Sequence, residues 1–171
     1  MKNFIKTFLV LCVFMSSSWA QDLKVGDPAP LFKVLTDENK TFELSTRKGE
    51  WTVLYFYPKA GTPGCTNQAK SFKEFAPDIE KLGVKVYGIS TDSVKDQEEF
   101  KRALGLKFTL LADEDMQVVK LYGSKIPFLN YSKRWSFIID PELVIRFIER
   151  DVEAKEDGKN ILEELKKLKK P

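Results

Sequence analysis

Apolar residues fall along this chain in two alternating rhythms. Short runs that are apolar almost throughout, TVLYFYP at 52–58 and VKVYGIS at 84–90, suit strands covered on both faces. Between them Ala69, Phe72, Phe75, Ala76, Ile79 and Leu82 recur at helical spacing, with Gly83 as a stop. Pro77 lies inside that segment and predicts a kink or a restart. After the second strand, Asp92 or Ser93 can cap a helix carrying Val94, Phe100, Ala103 and Leu104. FTLLAD (108–113) reads as a third short strand and EDMQVVKLYG (114–123) as a short helix closed by Gly123. WSFIID (135–140) and VIRFIER (144–150) flank a turn at PEL and predict an antiparallel hairpin. NILEELKKL (160–168) puts Ile161, Leu162, Leu165 and Leu168 on one face of a last helix. This order predicts an α/β domain, thioredoxin-like in layout, with a mixed central β-sheet flanked by helices.

The first twenty residues follow another rule. Lys2 and Lys6 precede an apolar run, TFLVLCVFM, that is too short to span a bilayer, and SSSWA ends in a small-x-small cleavage pattern. A cleaved signal peptide over 1–20 is expected, leaving 21–171 as a single domain in the periplasm or secreted. Cys12 leaves with the leader, and Leu11 before it does not suit a lipoprotein site. No membrane association is expected afterwards. With Lys2 and Lys6 gone, the 28 Lys+Arg and 25 Asp+Glu come close to balance, which gives no reason to expect nucleic acid. The lysine-rich end EELKKLKKP is a solvated helix face with Glu-Lys pairing.

Two cysteines and no histidine remove most catalytic classes. Once Cys12 is gone, a redox pair, an internal disulfide and a zinc site all lack ligands or partners. Serine and cysteine nucleophiles that need an imidazole base are excluded too. What remains is Cys65, behind the turn Thr62-Pro63-Gly64 and at the opening of a helix expected near Thr66. The first turn of a helix presents free N–H groups and the positive end of the helix dipole, both of which favour a thiolate. Pro63 holds Thr62 extended, Gly64 lets a small substrate approach the backbone amides, and the Thr62 hydroxyl can donate and accept. The same stretch also suits a tight turn before a buried, inert cysteine.

PKAGTPGCT carries Pro58, Thr62 and Cys65 in the Pro-x-x-x-Thr-x-x-Cys spacing of the peroxiredoxins, and VLYFYPKAGTPGCTNQA resembles their Q-type, or bacterioferritin-comigratory, branch. VGDPAPLFKVLTDENKTFELS, YGISTDSVKDQEEF, FTLLADEDMQVVKLYG and RWSFIIDPELVIR extend the resemblance over almost all of 21–171. The resemblance implies a thiol-dependent peroxidase: Cys65 attacks a hydroperoxide, hydrogen peroxide or an organic one, and becomes a sulfenic acid. An external thiol or thioredoxin-like reductant recycles it. It also implies an arginine beside the thiol, and the matching position is Arg134, which taken alone also reads as a surface charge like Lys133. Pro58 is expected to shield the sulfenic acid, and the aromatic residues of YFYP to wall the pocket. Gly64 and Gln68 are the expected substrate-binding neighbours. Gln68 stands where Q-type members commonly carry glutamate.

No metal or organic cofactor is implied, and the chain is expected as a monomer or homodimer. Three departures stand out. Lys70 occupies the usual resolving-cysteine position, Gln97 replaces a customary histidine, and the turn DPEL lacks its usual glycine. The first predicts a one-cysteine mechanism. Two other functions fit the same residues: a monothiol transferase that uses no peroxide, and a periplasmic redox sensor that is oxidised once.

Overall fold

The apolar runs pair as the pattern demands. The computed structural model describes residues 22–170; the expected leader and Cys12 lie outside the described residues. The elements in chain order are β1 (Lys33–Thr36), β2 (Thr41–Glu43), a 3₁₀ turn (Leu44–Arg47), β3 (Trp51–Phe56), α1 (Pro63–Lys81), β4 (Val84–Ser90) and α2 (Val94–Leu104). There follow β5 (Thr109–Ala112), α3 (Gln117–Leu121), β6 (Ser136–Ile139), β7 (Ile145–Glu149) and α4 (Asp157–Leu168). They build one seven-stranded sheet in the order β2-β1-β5-β4-β3-β6-β7. β3, β4 and β5 run parallel, and the β1–β2, β1–β5, β3–β6 and β6–β7 pairs are antiparallel. This is the thioredoxin-like mixed sheet flanked by helices.

β3 is buried on both faces because its alternate residues feed two cores. Val53 and Tyr55 join Tyr57, Phe72, Ile79 and Ile161 under α1 and α4. Leu54 and Phe56 join Leu111, Val118, Tyr122 and Phe137 on the opposite face, beneath α3. Sequence pattern alone missed β1 and β2. They form an edge hairpin of four and three residues whose positions alternate buried and exposed, too short to stand out against the central strands.

Two expectations about α1 are corrected. It begins at Pro63 rather than near Thr66, with Pro63 at its first position. It also runs unbroken through Pro77, so the restart does not occur. An interior proline costs about 3 kcal/mol. Burying Phe72 and Ile79 stabilises by roughly 1.5–3 kcal/mol for each side chain, which offsets that cost. The glycine-free turn after β6 still closes: Leu143 takes the left-handed conformation (φ 63) and donates to the Asp140 carbonyl at 3.0 Å. The Asp140 side chain accepts from the Glu142 and Val144 amides at 3.0 and 2.9 Å, so a carboxylate does the organising that glycine would otherwise make easy. Among the described residues no helix is long and apolar enough to cross a membrane.

Candidate active site

β3 delivers the chain to Tyr57 and Pro58, and the loop that follows turns it into α1. The loop is tied down from β4: the Asp92 carboxylate accepts from the Ala60 amide at 2.7 Å and from the Ser90 hydroxyl at 2.6 Å. Below it, the Tyr57 hydroxyl donates to the Gln97 side-chain carbonyl. The Gln97 amide donates to Ser90 Oγ at 2.7 Å and to the Leu111 carbonyl at 3.0 Å. Gln97 is fully buried, so the residue standing where a histidine is customary satisfies three buried groups with one uncharged amide. Burial keeps the Tyr57 hydroxyl protonated, well above the ordinary tyrosine range.

Thr62 is the N-cap of α1, yet its hydroxyl does not cap the helix; it donates to the Lys59 carbonyl at 2.9 Å. Its lone pairs stay open, and the Gly64 and Cys65 amides of the first turn receive no side-chain cap. Cys65 is the third residue of α1 and is 1% exposed. Its sulfur is 3.6 Å from Arg134 Nη2. Arg134 comes from the segment entering β6, which pairs with β3 in a register that sets Ser136 opposite Tyr55. Sheet pairing therefore brings together two residues 69 positions apart.

Gln68, one turn further along α1, is fully buried and accepts from Arg134 Nη1 at 2.6 Å. Its amide donates to Asp157 Oδ2 at 2.7 Å, and Ser136 Oγ donates to the same oxygen at 2.8 Å. Burial pushes the Asp157 carboxyl up to about 6, against the pull of those two hydrogen bonds.

Of the expected site residues, Cys65, Arg134 and Gln68 form one connected group, while Thr62 and Pro58 bound the loop above it. Gly64 has a neighbour that the sequence did not suggest: a Cβ there would lie 3.0 Å from Arg134 Nη2. The missing side chain makes room for the guanidinium. The aromatic wall is corrected in part. Tyr55 and Tyr57 lie on the Cys65 side of the sheet, but Phe56 points into the opposite core. Asp157 and Ser136 escaped the sequence reading, because the apolar spacing of α4 starts only at Ile161. An acidic residue in the first turn was the available signal.

A thioredoxin-like sheet that seats the one thiol among the described residues in the first helical turn against an arginine defines a class of thiol-based oxidoreductases. The chain matches the AhpC/TSA family over residues 25–148. It is 36% identical over 150 residues to peroxiredoxin Bcp of Escherichia coli K12, covering 84% of this chain and 96% of that protein. A cysteine-to-serine variant of PrxQ from Xylella fastidiosa superposes with a TM-score of 0.82 at 26% identity, covering 88% of this chain and 99% of that one. The peroxidoxin BcpB of Mycobacterium tuberculosis gives a TM-score of 0.81 at 27% identity, over 86% and 99%.

The chain belongs to the AhpC/TSA family and, within it, to the peroxiredoxins of the Q/Bcp type. Membership implies a thiol-dependent peroxidase, with a peroxide as substrate and a thiol or thioredoxin as reductant.

Proposed function

We propose that this peroxiredoxin works by a one-cysteine mechanism centred on Cys65, in an exported form. The observation that carries the proposal is the 3.6 Å approach of Arg134 to the only sulfhydryl among the described residues. The Cys65 thiolate attacks the terminal oxygen of a hydroperoxide ROOH. The S–O bond forms as the O–O bond breaks, sulfur is oxidised to the sulfenic acid by two electrons, and RO⁻ takes a proton from solvent to leave as ROH. Arg134 and the Gly64 and Cys65 amides stabilise the charge that moves along the O–O bond, while the Thr62 hydroxyl, donating to the Lys59 carbonyl, accepts from the hydroperoxide O–H. Pro58 screens the sulfenic acid.

Recycling needs two equivalents of an external thiol. The first condenses with the sulfenic acid to give a mixed disulfide and water. The second releases Cys65 by thiol–disulfide exchange. Lys70, at the position expected for a resolving cysteine, is exposed on α1 and has no sulfur to offer. A sensor that is oxidised once uses the same first step, so turnover separates the two. Peroxide consumption with hydrogen peroxide and a bulky alkyl hydroperoxide, each with a small thiol and with thioredoxin, should far exceed one equivalent per protein. Consumption that stops at one equivalent with every reductant favours the sensor. For export, the order of charges and apolar residues in 2–20 supports cleavage after Ala20. Intact mass of protein from its native compartment should then begin at Gln21, and a mass that retains 1–20 refutes it.

A further inference from the structure

We infer that Asp157 is a positioning residue for the proposed peroxide-reducing cysteine. Its buried carboxylate fixes the direction of the Gln68 amide, and the amide in turn holds Arg134 with one guanidinium nitrogen against sulfur. The inference rests on the assignment of Cys65 as the reacting thiol.

Donors and acceptors set the direction of this chain of contacts. Arg134 has only N–H groups to offer, so Gln68 must turn its carbonyl oxygen toward it. The other end of the same amide is then a donor and needs an acceptor on the far side. Asp157 Oδ2 is that acceptor, 2.7 Å from Gln68 Nε2, and Ser136 Oγ at 2.8 Å steadies it. Gln68 is fully buried, and a reversed amide would set N–H against N–H at the 2.6 Å contact with Arg134. The chain from Asp157 through Gln68 to Arg134 can therefore be assembled in one direction only while Asp157 is ionised.

An ionised acid carries a cost in this place. Asp157 is 1% exposed and its second oxygen, Oδ1, has no hydrogen-bond partner, so its ionised form is costly. The charged groups that face it are Arg134, ahead of β6, and Glu149 on β7, with the Tyr55 hydroxyl nearby from β3. Burial pushes the carboxyl up to about 6, so it gains a proton in mildly acid solution. A proton on Asp157 Oδ2 sets a donor against the Gln68 Nε2 donor, which is relieved only if the amide reverses and turns its N–H toward Arg134. The same group thus couples the grip on Arg134 to pH.

The test follows Cys65 oxidation by one equivalent of hydrogen peroxide in stopped flow, in the full chain. Asp157→Ala should slow oxidation about fivefold to tenfold, because a misaimed guanidinium costs rate without loss of charge. Adding Gln68→Glu to that variant should recover most of the loss, since a carboxylate accepts from Arg134 whichever way it turns. A role confined to folding α4 gives no such rescue. Asp157→Asn, which keeps the volume, is the second arm: the ratio of rates at pH 7 and pH 5 should be at least about threefold smaller than in wild type, as one titrating group is lost. Wild-type rates in Asp157→Ala, or an unchanged pH ratio in Asp157→Asn, overturn the inference. If wild-type Cys65 itself is not oxidised, the assignment of the reacting thiol fails instead.

Discussion

Arg134 meets Gln68 through a 2.6 Å hydrogen bond from Nη1, and that contact decides which guanidinium nitrogen faces Cys65. The other, Nη2, lies 3.6 Å from sulfur. One residue therefore divides its fork between a buried anchor and the Cys65 sulfur. A lysine could supply the charge and a donor but not two nitrogens held in a rigid planar fork.

The first prediction follows from this division. Arg134→Met should slow oxidation of Cys65 by about 10²-fold, the scale expected for removing one donor to developing charge. Arg134→Lys should fall between Met and wild type. Stopped-flow intrinsic fluorescence measures both, and a Met variant at the wild-type rate would remove Arg134 from the mechanism.

Gly64 offers a subtler test. A methyl group at this position would stand 3.0 Å from Arg134 Nη2, so Gly64→Ala must push the guanidinium aside. The side-chain end can move, and alanine favours the helix, so thermal stability should change little. The oxidation rate should drop about tenfold, as it does when a reacting group is displaced slightly. A variant with an unchanged rate would show that the close approach of Arg134 to the first turn is immaterial.

Stability should respond to pH in a defined direction. Burial pushes the Asp113 and Asp157 carboxyls up to about 6 from the usual 3.8. Between about pH 4 and 6 the folded protein thus binds protons that the unfolded chain does not. Stability should rise as pH falls through that window, by at most about 1.4 kcal/mol per pH unit for each group. Glu38 and Asp78, exposed and held below their usual range by hydrogen bonds from Lys40 and Lys81, act in the opposite sense at still lower pH. Urea unfolding at pH 7 and pH 5 checks this. Asp113→Asn should flatten the slope, and a wild-type midpoint lower at pH 5 would contradict it.

The parts of the molecule legible in the sequence are those whose cause is local. β3 and β4 announce themselves as continuous apolar runs, and Cys65 as a thiol behind a turn that opens a helix. Arg134 could be named only through the family resemblance, because the contact depends on the pairing of β6 with β3. Asp157 was invisible for a similar reason: its meaning comes from Gln68 and Ser136, which tertiary packing alone brings to it. The β1–β2 hairpin, half-exposed and short, carries too little apolar pattern to be seen. Pro77 misled because helix-breaking is a local rule, and the packing of α1 overrides it.

The central claim is that Cys65 is the reacting sulfur and that no internal partner resolves it. Mass spectrometry after titration with hydrogen peroxide tests this most directly, with a dimedone-type trap for the first product. One equivalent should leave Cys65 as a trapped sulfenic acid or joined to another molecule's thiol, and excess peroxide without reductant should carry it on to sulfinic acid. A Cys65 that stays reduced while peroxide persists would contradict the account.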